Sequence, residues 1–344
     1  HASMAEQSIV LVGNASDGTI ASFRLSDQAL VPLAVSRVGS GCSAFAVDAV
    51  RGLVYCATKE PCPAVVTLRL DRATGALTET ARAAIDDPLA SLALARDGGL
   101  LLGASYHGGW GAVWPVTDGR LRAATARVEH DALHCVLTTA AGDAAYFVSL
   151  GEDLIVQCAL AADGTLVPLD PPSVAAPKGS GARHLVLAGD ERSAYLMTEF
   201  TGQAIRYLRD EAGTLTGVEA VDAFDPHAGL KVSRRGADPR AEGLIWGADL
   251  HLARDGAWLL CSERAASTIV AVPLGRGGSL GTQVVVSPAE QQPRGFAVTP
   301  DGRGVVVAGE ASGQVSYAGV NDDGTLVLKG CYASGAGANW VRFA

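Results

Sequence analysis

No run of about 18 or more apolar residues occurs in the 344-residue chain, so no segment reads as a membrane-spanning helix. Its start lacks a basic stretch followed by a hydrophobic one, which argues against a secretory leader and leads to the expectation of a soluble, cytoplasmic protein. Lys and Arg form no run and the formal net charge is −9, so neither nucleic acid nor an anionic membrane is expected as a partner. Amphipathic helical periodicity is almost absent, which removes bundles and doubly wound α/β folds from consideration. No CxxC pair is formed by the seven cysteines, and their number is odd. Most lie in apolar runs such as "LVYCAT" and "WLLCSE", so they read as structural free thiols. The stretch "HASM", ahead of Ala5, reads as a tag remnant.

What remains is a chain of short apolar segments, many alternating with period two, separated by Gly, Asp and Ser clusters. A unit recurs: strand, D-G type turn, strand, small polar loop, strand, turn. Six copies are visible, among them "LVLAGDERSAYLMTEFTGQAIRYLRDEAGTL" and "FAVTPDGRGVVVAGEASGQVSYAGVNDDGTL". Their first turns fall at Gly52, Gly98, Asp143, Asp190, Gly256 and Gly302, giving steps of 46, 45, 47, 66 and 46. A period in the mid-forties is that of one four-stranded propeller blade. The long step carries "FDPHAGLKVSRRGADPRAEG", expected to be a loop insertion within 217–245. The leftover ends supply a seventh blade: "SIVLVGNASDGTIASFRL" gives two strands, and "WVRFA" is a lone apolar strand that would pair with them. The expected fold is therefore all-β, a single seven-bladed propeller over residues 5–344, its ring closed by pairing the C-terminal strand with the N-terminal ones.

A propeller does not specify an activity, so the site must come from residues that break the strand pattern. Loops before the first strand and after the second of each unit are expected on one face. Before or at the first strand stand His134, Arg183 with His184, Asp249 with His251, and Arg294. After the second stand Lys59, Tyr106 with His107, Glu199, Glu263 with Arg264, and Glu310. Neither His-x-His, HExxH nor an Asp-rich calcium loop is present, so no metal is expected. The Gly-rich "GSGAR" and "GRGGSL" open no helix after a strand, so neither a nucleotide cofactor nor the strand-to-helix nucleophile elbow of a serine hydrolase is implied. No cofactor is called for. The chemistry on offer is acid and base groups with guanidinium anchors, suited to an anionic small molecule.

The segments "GARHLVLAGDERSAYLMTEFTGQAIRYL", "IWGADLHLARDGAWLLCSERAASTIVAV", "QQPRGFAVTPDGRGVVVAGEASGQVSYAGV" and "GANWVRFA" resemble the cycloisomerase-type 6-phosphogluconolactonase family of seven-bladed propellers. The fungal 3-carboxy-cis,cis-muconate lactonizing enzyme is related to that family. The resemblance implies catalytic roles for His134, Arg183, Glu199 and Arg264. His184, Lys59, Tyr106, His107, Asp249, His251 and Arg294 are then expected around the substrate, a lactone or anionic sugar acid, in a monomer or homodimer. Two departures stand out: Ala182 where the family often has proline before the Arg-His pair, and "TKEPCPAV" where an arginine is expected near Lys59. Sugar-lactone hydrolysis is the first reading. Muconate-type cycloisomerisation in the same pocket and a non-catalytic binding scaffold are the alternatives.

Overall fold

In the computed structural model, which describes residues 8–26 and 28–344, seven antiparallel sheets are arranged as a ring. The residues read as a tag remnant lie outside the described ones. In chain order, the inner strands of blades one to six are Phe45–Asp48, Ser91–Ala95, Leu133–Thr138, Ala182–Leu187, Gly247–Ala253 and Gly295–Val298. The closing blade runs Ala338–Phe343, Ile9–Asn14, Thr19–Leu25, Leu30–Arg37, so the last strand of the chain is its innermost. This is the ring closure expected from the two ends.

Burial explains why the strands differ along each blade. Second strands such as Ser193–Thr198 are sandwiched between neighbouring blades and buried throughout, so they read as continuous apolar runs. Fourth strands such as Leu77–Ala84 keep one face in solvent and alternate. The apolar clusters lie between adjacent blades, as where Val54, Tyr55 and Val66 of blade one meet Leu92 and Leu101 of blade two. Inner strands pack side by side around the channel. Gly247 and Gly295 permit close approach, since a Cβ at either would run into a neighbouring blade's carbonyl, that of Thr198 or of Asn339.

The insertion is shorter than expected at its start. Residues 217–222 belong to the fourth strand of blade four, Leu215–Asp222, which pairs with Gln203–Arg209. Val218 and Val221 suit a strand and the ladder extends to them. The connection to blade five is thus 223–246. It contains one helical turn, Pro239–Glu242, capped by the Asp238 side chain accepting from Ala241 N and ended by Gly243 at φ 67°.

Four of the seven inner strands carry a bulge against their second strand. One residue, His134, is extra between Leu133 and Cys135, and one, Arg183, between Ala182 and His184. In blade five Ala248 and Asp249 together stand against the single residue Ser262, one residue extra, and in the closing blade Asn339 is extra. Blades one, two and six pair their inner strands without a shift. A bulge re-aims side chains that a regular ladder would send to alternate faces.

Candidate active site

Because the inner two strands of each blade are antiparallel, inner-strand starts and second-strand ends share one face of the ring. A cavity of about 300 Å³ opens there at the mouth of the channel. It is lined by Lys59, Tyr106, His107, His134, Arg183, Glu199, Arg264 and Arg294, with Ser43, Pro88, Leu89 and Ala90. A chamber of about 20 Å³ lies beneath, lined by His134, Arg183, His184, Asp249, Arg294 and Asn339 among others. That is about the room one water needs.

Glu199, just past the second strand of blade four, is the centre of the polar network. Its Oε1 accepts from Arg183 Nε at 3.2 Å and from Arg264 Nη2 at 3.1 Å. Arg183, 1% exposed, also donates Nη1 to the Ala248 carbonyl at 2.8 Å. Arg264 donates Nη2 to the Gly247 carbonyl at 2.8 Å, and its guanidinium lies 4.3 Å from the Trp246 ring centroid. Burial first, then the neighbouring Arg183, pulls the proton affinity of Arg264 down to about 9, which leaves it cationic at neutral pH. Neither Arg183 Nη2 nor Arg264 Nη1 hydrogen-bonds to another described residue.

The two histidines of the channel are neutral. His134 is 7% exposed, its ring 5.1 Å from that of His184 and 5.6 Å from Tyr106, and its Nδ1 has no partner among the described residues. Burial holds it well below the ordinary imidazole range, and the charges of Arg183 and Arg294 add to that. His184 is brought down to about 4 by burial and then by Arg183, against the opposing pull of Asp249. Its Nε2 lies 3.4 Å from Arg183 Nη1, which can only donate. The ring proton therefore sits on Nδ1, which donates to Asp249 Oδ1 at 2.9 Å.

Arg294, on the rim, donates to Glu310 Oε2 at 3.1 Å, and Glu310 also accepts from Asn339 Nδ2 at 3.0 Å and Gln292 Nε2 at 2.5 Å. Glu263 faces backbone instead of substrate: it is fully buried and accepts from Trp246 N at 2.9 Å and from Ala265 N and Ala266 N at 2.7 Å. Burial raises its pKa against those bonds, and the carboxylate fixes the loops on either side of Arg264.

Of the residues expected at the site, Glu199, His134, Arg183, Arg264, Lys59, Tyr106, His107 and Arg294 line the one cavity, and His184 and Asp249 line the chamber below. His251 is elsewhere. It lines a cavity at the opposite mouth of the channel, with Val186, Arg342 and Phe343. Sequence reasoning missed Trp246, which had no signal beyond its place just before an inner strand. It also missed Asn339, a polar residue at the start of an apolar strand, and Arg235. From the insertion, Arg235 reaches across the face to pair with Asp131 Oδ2 at 2.5 Å and lies 5.9 Å from the centroid of the Tyr106 ring.

A 6-phosphogluconolactonase of Klebsiella pneumoniae is 28% identical over 280 residues, 80% of this chain and 81% of that protein. A Bacteroides fragilis protein superposes with a TM-score of 0.87 at 23% identity over all of both chains. A periplasmic gluconolactonase of Pseudomonas aeruginosa gives 0.84 at 24% identity over 98% of this chain and 99% of that one. These last two establish the fold alone. Residues 9–343 match the family described as lactonase, 7-bladed β-propeller, and with the ring complete over that same span the chain belongs to this lactonase family.

Proposed function

We propose that the protein hydrolyses a sugar-derived lactone bearing an anionic substituent, 6-phosphogluconolactone being of this class. The observation that carries this reading is the charge of the cavity: Arg183, Arg264, Arg294 and Lys59 line it against one carboxylate, Glu199. In a chain of net charge −9 this is a local reversal of sign. The name of the Klebsiella relative favours hydrolysis over cycloisomerisation.

Glu199 is the general base. It is the one carboxylate lining the cavity among the described residues, and with Oε1 bound to both arginines its Oε2 is left to take a proton from water. The water oxygen then attacks the lactone carbonyl carbon. Arg183 Nη2 and Arg264 Nη1, without a hydrogen-bond partner among the described residues, meet the charge that develops on the carbonyl oxygen. The ring C–O bond breaks, and its oxygen leaves as a hydroxyl with the proton returned by Glu199. His134 serves as a neutral hydrogen-bonding group, since burial and the nearby guanidinium groups of Arg183 and Arg294 oppose its charging. Lys59, Arg294 and His107, at the mouth, hold the anionic substituent.

The cavity is complete within one chain, so a single subunit suffices. Seven free thiols, two of them exposed, suit the reducing cytoplasm. The test is the initial rate of ring opening for a phosphorylated δ-lactone and for its unphosphorylated parent. A kcat/KM at least about tenfold higher for the phosphorylated compound, falling with added salt, is expected from its extra charge-assisted contacts. Equal values would remove the anionic substituent from the reading, and no acceleration of either would remove hydrolysis.

A further inference from the structure

A buried polar chain runs the depth of the channel, from the catalytic mouth to the opposite one. Glu199 is held by Arg183, whose Nη1 faces His184 Nε2. His184 Nδ1 donates to Asp249 Oδ1 at 2.9 Å, and Asp249 Oδ2 accepts from His251 Nε2 at 2.9 Å. His251, on the inner strand Gly247–Ala253, has no line to the catalytic cavity: it opens onto a separate cavity of about 810 Å³ where the inner strands end. Its ring stands edge-on to Phe296 at 4.8 Å, which fixes its orientation. We propose that His251 is a positioning residue for catalysis at the far mouth, acting through Asp249 on the tautomer of His184 and thereby on Arg183 and Glu199.

The donors available to Asp249 decide the tautomer of His184. Asp249 is 5% exposed, and Oδ1 accepts from His184 and from Leu250 N at 3.0 Å. Its second oxygen has one strong donor, His251, besides a long contact of 3.5 Å from Phe296 N. Burial pushes the Asp249 carboxyl up, but His251 and the hydrogen bonds from both imidazoles hold it well below the usual carboxylate range. An ionised, oriented Asp249 requires a proton on His184 Nδ1 and leaves a lone pair on Nε2 for Arg183. Without the His251 donor, Asp249 is free to rotate or take up a proton, and the Nδ1–H tautomer of His184 loses its selection. The other tautomer would set Nε2–H against a guanidinium N–H, donor to donor, and displace Arg183 from Glu199. Sub-ångström displacement of such a group is felt in turnover because the reacting atoms must stay aligned.

The catalytic half of this inference rests on the lactonase reading above, while the tautomer half does not. The experiment therefore reads both in the full-length protein: imidazole ¹⁵N NMR of His184, and steady-state kinetics on the phosphorylated δ-lactone. His251→Met removes the donor at similar bulk, whereas His251→Gln keeps an N–H near the Nε2 position. We expect the wild type to show His184 protonated on Nδ1. In His251→Met the Nε2–H form should appear and kcat should fall about tenfold, with KM changed less than about twofold. In His251→Gln the Nδ1–H form should return, with at least about half of the lost turnover. An unchanged His184 tautomer in His251→Met would overturn the proposal, as would equal losses of kcat in the two variants. A wild type that opens no lactone would sink the lactonase reading instead, with the tautomer result still deciding whether His251 controls His184.

Discussion

The ring divides into two kinds of blade. In blades three, four and five and in the closing blade the inner strand is bulged, and the bulge residues are His134, Arg183, Ala248 with Asp249, and Asn339. In blades one, two and six the inner strands Phe45–Asp48, Ser91–Ala95 and Gly295–Val298 keep regular register. Every buried ionisable group of the channel network that sits within an inner strand belongs to a bulged one. A regular strand sends adjacent side chains to opposite faces, so Arg183 and His184 could not both face the channel without the extra residue. The regular blades contribute through their loops instead, with Lys59, Tyr106, His107 and Arg294 at the rim. One part of the ring fixes charges in depth, and the other shapes the mouth.

The sharpest way to test this division is to remove one carboxylate or ammonium from equivalent loops in each part. Glu199 and Lys59 both follow the second strand of their blades, in blades four and one. Glu199→Gln should lower kcat by about 10²-fold or more, the range for loss of a general base, with an unfolding midpoint close to wild type. Lys59→Gln should act on KM for the phosphorylated lactone, raising it about fivefold, with kcat within about twofold. A comparable loss of kcat in both would break the division.

Much of this was legible in the sequence, for identifiable reasons. The D-G turns and their period give the blade count because each hairpin needs a left-handed turn residue, as at Gly98 with φ 78° and Gly302 with φ 74°. His134, Arg183, Glu199 and Arg264 stand out because charge at the end of an apolar strand requires a partner. Bulges leave no such mark. Asp249 and His251, two apart, read as one set on one face; yet two residues of strand are about 6.6 Å, enough to carry His251 down to the other mouth. The start of the insertion is hidden for a related reason: Val218 and Val221 extend a strand that glycine and charge on either side obscure.

A smaller effect separates the same regions through acid stability. His134 and His184 are buried and neutral, both in bulged strands. For a histidine depressed in the folded state, stability is fully present above the unfolded value near 6.5 and is lost as pH falls toward the folded value, about 4 for His184. The unfolded chain takes up protons there that the native channel refuses. At pH 5 this amounts to about 2 kcal/mol for His184, so the thermal midpoint should drop by a few degrees between pH 7 and 5. His184→Gln should flatten that slope, and an unaltered slope would place the acid sensitivity outside the channel.

The smallest effect on turnover is expected deep in a regular blade. Val54, in the second strand of blade one and 1% exposed, packs in the cluster with Tyr55, Val66 and Leu101, away from the polar network. Val54→Ala removes two methyl groups and leaves a small void, costing about 2 kcal/mol of stability measured by denaturant or heat. Its kcat and KM should stay within about twofold of wild type, because neighbouring blades are separate sheets joined by side-chain packing and rim loops, and the charges are fixed on the other side of the channel. If Val54→Ala instead lowered kcat as strongly as a change in a bulged strand, the catalytic geometry would depend on the packing of the whole ring. The bulges would then be a local accommodation of the charged side chains and not what positions them.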